Sequence, residues 1–299
     1  MSTRMKVLLG VGTWLGGTIL LVILIGGSGE NAEFAPIEEF RLTPWIPIQV
    51  GPFDLSINKA VLYLAIATAL TVITMTYIAR RMVDKPNRVQ AAVEAVFTLS
   101  RDTITRDNMS DEMAVRWFPF IGTLFLFILF SNLIGYLPLP TNTGETISVF
   151  GLQIPALAIY AATANLSVPL ALTLVVWIAY QVEGVRAKGP IAYVKGWIPQ
   201  GSPPALVPMI GFIEVLSQIM RIVSLSVRLF ANILAGHMLI LFMGGGLAVL
   251  LGLAALGWLT APIAIVFFLF EVVIVAGLQA FIFATLTSIY LGEAVAEGH

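Results

Sequence analysis

The residues able to do chemistry gather in two hydrophobic stretches near the C-terminus. Residues 224–237 carry Ser224, Arg228, Asn232 and His237; residues 271–290 carry Glu271 and Gln279. Each stretch lies in an apolar run long enough to cross a bilayer. An arginine at helix-centre depth costs at least ~2.5–3.5 kcal/mol on insertion scales, so it faces a protein partner or water. Arg228 is therefore functional by default, and the rest of the chain is the scaffold that positions it.

The spacing organises these groups. Glu214, Arg221 and Arg228 recur every seven residues, which places them near one stripe of a helix, with Asn232 a turn beyond Arg228. At ~1.5 Å rise per residue Glu214 lies about 21 Å from Arg228, and His237 about 13.5 Å further on, on the opposite helical face. In the returning segment Glu271 precedes Gln279 by eight residues, roughly 12 Å. Because that segment runs antiparallel, pairing Gln279 with Arg228 brings Glu271 level with His237. A His–Glu pair at that level can relay protons, since imidazole titrates near neutrality and a buried carboxyl can rise towards it.

The elements that hold these groups are membrane helices. Hydrophobic residues make up 58% of the 299-residue chain and charged residues only 11%, against about 25% charged in a soluble globule. With no cysteine, disulfides, thiolate metal sites and Cys nucleophiles are excluded. Two histidines, one of them the last residue, cannot supply a bis-histidine haem within the membrane, and a net charge of −1 offers no basic field for nucleic acid. No phosphate loop of the Gly-Lys-Ser/Thr type occurs, and no cofactor is expected.

Taken in order, residues 7–25 form an apolar run behind Arg4 and Lys6, expected to be a retained helix, with a signal segment as the alternative. Residues 26–56 are acidic and proline-bearing, an external loop that completes an N-terminal unit, 1–56. The membrane domain proper is expected over 57–299. Residues 58–79 span and end in Arg80 and Arg81, with Lys85 and Arg88 beyond, which marks the cytoplasmic side. Residues 87–109 have the pattern of an amphipathic interfacial helix, or of a solvated linker. Residues 117–137 and 160–180 span again around an external loop, 138–155. Two long runs, 210–243 and 247–291, follow, with Gly244-Gly245-Gly246 as the turn and Pro262 as a break. Both exceed the ~20 residues a perpendicular helix needs, so they tilt strongly, kink or are interrupted. The expected fold is all-α integral membrane, about six spanning segments with both termini inside. Twelve of the sixteen Lys and Arg fall on the assigned cytoplasmic side. There is no internal repeat of the kind seen in secondary transporters.

With these residues in view, the run Arg228-Leu-Phe-Ala-Asn-Ile-Leu-Ala-Gly-His237, with Leu-Gln279-Ala-Phe-Ile-Phe-Ala-Thr-Leu-Thr-x-x-Tyr290-Leu, resembles subunit a of the F-type ATP synthase. The similarity reaches upstream through Phe130-Ser-Asn-Leu-Ile-Gly-Tyr-Leu-Pro138 and covers the chain from about residue 79; the first 56 residues have no clear counterpart. The Arg-Leu-Phe-x-Asn and Gln-Ala-x-x-Phe pairing is specific to that family. The resemblance implies that the tilted hairpin, 210–291, packs against a ring of c-subunits. Arg228 would face the ring and separate the two half-channels, with Asn232 and Gln279 around it. His237 and Glu271 resemble the titratable pair of the inlet, with Asn132 and Asn165 as further lining. Glu214, Arg221 and Ser224 resemble the cytoplasmic exit path. Implied partners are the c-ring, the subunit b stalk, the remaining synthase complex, protons and lipid, in a bacterial plasma membrane; the subunit itself would hydrolyse no ATP. In the family pattern an acidic residue or histidine lies seven residues before the Gln, whereas Glu271 lies eight before. A shifted residue, a π-bulge or a different inlet geometry would each accommodate this.

Plainer readings stand beside these. His237 also fits an interhelical hydrogen-bonding role, Glu214 and Arg221 fit interface-level residues, and Asn132 and Asn165 fit helix–helix glue. Rival functions are a stand-alone transporter that binds an anionic substrate through Arg228, and a structural subunit of a respiratory complex.

Overall fold

The computed structural model describes residues 5, 12–14, 16–17, 40–51, 53–81, 88–149, 152–198, 203–246 and 254–296. The expected first span, residues 7–25, and the acidic loop up to residue 39 lie almost wholly outside them. Among the described residues five segments are long and apolar enough to cross a membrane: Lys59–Arg80, Asp111–Gly135, Ser167–Lys188, Val207–Gly244 and Leu259–Val295.

A two-residue hairpin, β1 (Gln49–Val50) with β2 (Phe53–Asp54), precedes α1 (Lys59–Arg81). The interfacial segment is helical as its pattern predicts. It runs as α2 (Arg88–Thr98), a π turn (Leu99–Thr105) and a 3-10 turn (Arg106–Asn108). Ile104 is buried and Val96 packs against the core, while Arg101 and Arg106 are exposed. The central helix α3 (Asp111–Gly135) opens with Asp111 and Glu112 in its first turn, where negative charge favours the helix dipole. Its face formed by Ile121, Leu124, Phe125 and Ile128 lies in the main core.

Residues 138–155, expected as a loop, instead contribute to an antiparallel hairpin of β3 (Leu139–Val149) and β4 (Leu152–Ala158). Pairing satisfies backbone groups that an open loop would leave to water. The next helix, α4 (Ser167–Lys188), begins later than the apolar run, which predicted a start at 160; Ala162–Ala164 form a 3-10 turn first. Arg186 and Lys188 occupy the last turn of α4, and Gly189, at φ +82°, ends it in a conformation L side chains rarely adopt. Pro190 then opens the short helix α5 (Pro190–Lys195).

The hairpin expected over 210–291 consists of α6 (Val207–Leu241), continued by a π turn (Phe242–Gly246), and α7 (Ala254–Phe270), a π turn (Glu271–Val275) and α8 (Ala276–Val295). Two expectations need correction. The glycines 244–246 continue the helix as a π turn, so they are not the reversal itself. Pro262 does not interrupt α7, which runs through it; the irregularity comes at Glu271. A membrane helix tolerates the lost N–H of a proline because neighbouring groups re-satisfy the freed carbonyl. The 38-residue span Val207–Gly244 measures about 57 Å at ~1.5 Å per residue, well beyond a ~30 Å hydrocarbon core, so it crosses strongly tilted.

Along α6 the buried positions Gln218, Leu225, Leu229, Ile233, His237 and Ile240 recur at helical spacing, as do Ala276, Ala280, Phe283, Ala284, Thr287 and Leu291 on α8. Small residues on α8 let it approach α3 closely. The opposite face of α6 is also apolar and exposed, with Phe212, Leu216, Ile219, Val223 and Val227 outward. A helix that is hydrophobic all round belongs in a membrane or against a partner.

Candidate functional site

The functional groups separate into three places along α6. At one end lies a sealed cluster. His237 is buried, with Nδ1 2.9 Å from the Ile233 carbonyl and Nε2 3.0 Å from the Gly135 carbonyl. Its ring stacks on Tyr136 at 4.5 Å between centroids, and Phe40 meets it edge-on at 6.4 Å. Tyr136 donates its hydroxyl to Glu271 Oε2 at 3.0 Å. The Glu271 carboxylate lies against Gly236, where a Cβ would overlap it. Glu271 is thus level with His237, as the spacing predicts, and Tyr136 bridges the two. The sequence offered only weak notice of Tyr136: its position beside the Ser-Asn-Leu-Ile-Gly run.

The π turn explains how Glu271 reaches this place. Eight residues of regular α-helix would rotate Glu271 about 80° from Gln279, whereas a π turn absorbs one residue and returns both to one face. Both are in fact buried, at 7% and 6% exposure. Of the accommodations open at the sequence level, the π-bulge is the one present. Asn132, fully buried, donates from Nδ2 to the Ala276 carbonyl at 3.2 Å, just beyond that turn, and accepts from Thr163 Oγ1 at 2.8 Å. It therefore ties α3 to α8 behind Glu271. Asn165 is not in this cluster; its Oδ1 accepts from the Ser167 backbone N–H at 3.0 Å, a local turn bond just before α4.

The second place is the middle of α6. Arg228 is exposed there, on one face with Ser224 and Asn232, and Val223 and Val227 are exposed beside it. Among the described residues Arg228 makes no hydrogen bond or ion pair, and nothing links it to buried Gln279.

At the far end Glu214 and Arg221 line a cavity of about 180 Å³ together with Tyr180, Gln218, Tyr290 and Glu293. Polar contacts run through it. Gln218 Nε2 donates to Glu214 Oε1 at 2.9 Å and Tyr180 donates to Gln218 Oε1 at 2.6 Å. Arg221 pairs with Glu293 at 3.1 Å and lies over the Tyr290 ring at 4.8 Å. Tyr193, whose phenol burial pushes up, donates to Gln181 at 2.7 Å. Of these, Gln218 was legible as the i+4 neighbour of Glu214; Tyr180, Tyr290 and Glu293 come from other helices and were not. Ser224 lies outside the cavity. No group of three or more His, Cys, Asp or Glu able to hold a metal occurs among the described residues.

Two polar clusters lie on opposite sides of an exposed arginine that has no partner among the described residues, and comparison with known proteins decides the family. The family described as ATP synthase A chain matches residues 61–292. The chain belongs to it. It is 33% identical to ATP synthase subunit a of Parvibaculum lavamentivorans over 275 residues, 91% of this chain and 97% of that one. The corresponding protein of Rubrobacter xylanophilus is 35% identical over 248 residues, 82% and 87% of the two chains. That of Bradyrhizobium diazoefficiens is 35% identical over 269 residues, 88% and 98%. As a member of the ATP synthase A chain family, the chain is a multi-pass membrane component of the synthase and not its catalytic subunit.

Proposed function

We propose that this chain forms the two proton half-channels of the membrane sector and that Arg228 keeps them apart. The observation that carries this reading is Arg228 itself: a cation within a membrane span, exposed on an apolar face, with no partner among the described residues. A charge so placed needs a counter-charge from outside the chain. A carboxylate on each passing subunit of a rotating c-ring supplies one, and the apolar face of α6 is the surface on which that ring and its lipid would lie. Subunit b and the rest of the complex would hold this chain still while the ring turns.

A proton enters from the outside past His237 and Glu271 and neutralises a ring carboxylate. The ring turns, and the proton leaves towards the cytoplasm through the cavity beside Glu214 and Arg221 once Arg228 favours the ionised carboxylate again. Arginine suits this place because it keeps its charge where a buried lysine would lose its proton. The basic ends of α1 and α4, Arg80, Arg81, Arg186 and Lys188, support that orientation, with the membrane taken as a bacterial plasma membrane.

The test is ATP-driven proton pumping in inverted vesicles carrying the assembled complex, wild type against Arg228→Ala. The expected outcome is intact assembly with pumping reduced at least about a hundredfold, the scale of removing a charge aimed at the reacting group. Pumping at the wild-type rate would sink the separator role. A stand-alone transporter that binds an anion at Arg228 predicts transport by the purified chain without the ring; membership of the synthase family weighs against it.

A further inference from the structure

We propose that Tyr136 is a positioning residue that couples His237 to Glu271: its ring holds the imidazole flat while its hydroxyl fixes the carboxylate beside Gly236. The inference rests on reading the pair as part of the proton path and adds a member to it.

Tyr136 touches both groups in different ways, stacking on His237 at 4.5 Å with the rings 30° apart and donating to Glu271 Oε2 at 3.0 Å. Both imidazole nitrogens face carbonyl oxygens, at 2.9 and 3.0 Å, and carbonyls only accept. A neutral ring has one N–H, so it would turn a lone pair on one of these oxygens; the imidazolium satisfies both. The imidazole is held between two acceptors by stacking on Tyr136, and the π turn brings the Glu271 carboxylate to the same level.

Among the described residues the other rings packed against the pair are apolar: Phe40 edge-on to His237, and Phe268 edge-on to Tyr136 at 5.9 Å. The Tyr136 hydroxyl donates to Glu271, which makes it a donor held in place between the two groups. Its hydroxyl bonds Glu271 alone among the two, so a proton exchanged between His237 and Glu271 does not pass through the phenol.

The experiment is the pH profile of ATP-driven proton pumping in inverted vesicles carrying the whole complex with Tyr136→Phe. A donor that favours the ionised carboxylate is lost, so the acid limb of the profile should move to higher pH by about 0.5–1 unit, with a several-fold lower rate near its midpoint. In a Glu271→Gln background the same change should cause no further displacement. A rate lowered equally at every pH, or left unchanged, overturns the proposal, because packing alone would then account for Tyr136. Should Tyr136→Phe fail to assemble, 3-fluorotyrosine at position 136 keeps the shape and strengthens the donor. The acid limb should then move to lower pH, and an unmoved limb overturns the proposal equally. Arg228→Ala in the same vesicles separates the two readings. If it pumps normally, the proton-path reading fails; if it is silent while the Tyr136→Phe profile stays put, only the role of Tyr136 fails.

Discussion

The two ends of α6 carry similar residue types in opposite settings. At the His237 end, Tyr136, His237 and Glu271 are each at most 7% exposed and held by atoms of three segments. At the Glu214 end, comparable groups surround a cavity of about 180 Å³, and the Arg221–Glu293 pair has side chains 30% and 54% exposed. In the sealed cluster Glu271 Oε2 and both ring nitrogens of His237 meet specific protein partners, so small displacements are costly. In the cavity, water can replace a lost partner at little cost. The proposed proton path is thus geometrically strict on one side of Arg228 and permissive on the other.

The contrast is broken most severely by adding one methyl group at the sealed end. Gly236→Ala puts a Cβ onto the Glu271 carboxylate, and overpacking of this kind costs about 1–3 kcal/mol. Pumping should fall about tenfold or more, with reduced thermal stability of the complex on native gels. Gly211→Ala on the same helix meets no atom within 4 Å and should behave as wild type. Equal behaviour of the two variants would dissolve the claim that the His237 end is sealed.

A smaller effect is expected at the cavity. Glu214→Gln keeps an oxygen to accept from Gln218, and water can serve the other positions, so pumping should stay within about threefold of wild type. A loss as large as that of Gly236→Ala would mean that the carboxylate charge, and not the open cavity, governs this side.

The smallest effect is expected from Glu293→Gln. The pair with Arg221 is partly exposed, where such pairs contribute about 0–1 kcal/mol and weaken with salt. Pumping should change less than about twofold, and the difference should shrink as ionic strength rises.

The sequence by itself determined the membrane class, the bounds of the spans 58–79 and 210–243 to within three residues, the family and the level at which Glu271 meets His237. Each of these depends on short-range rules: the length of apolar runs, the ~1.5 Å rise of a helix and a contiguous motif. Only the tertiary structure decided which partners those side chains find. Tyr136 reaches Glu271 across 135 residues, and Arg221 reaches Glu293 across 72; no local pattern encodes such distances. The β3–β4 hairpin in the expected loop, and the helix running through Pro262, likewise depend on neighbours that satisfy backbone groups. The π turn at Glu271 joins the two levels. An extra residue in the motif announced a choice between several geometries, and packing against Gly236, Tyr136 and Asn132 selected the one that keeps both Glu271 and Gln279 facing inward.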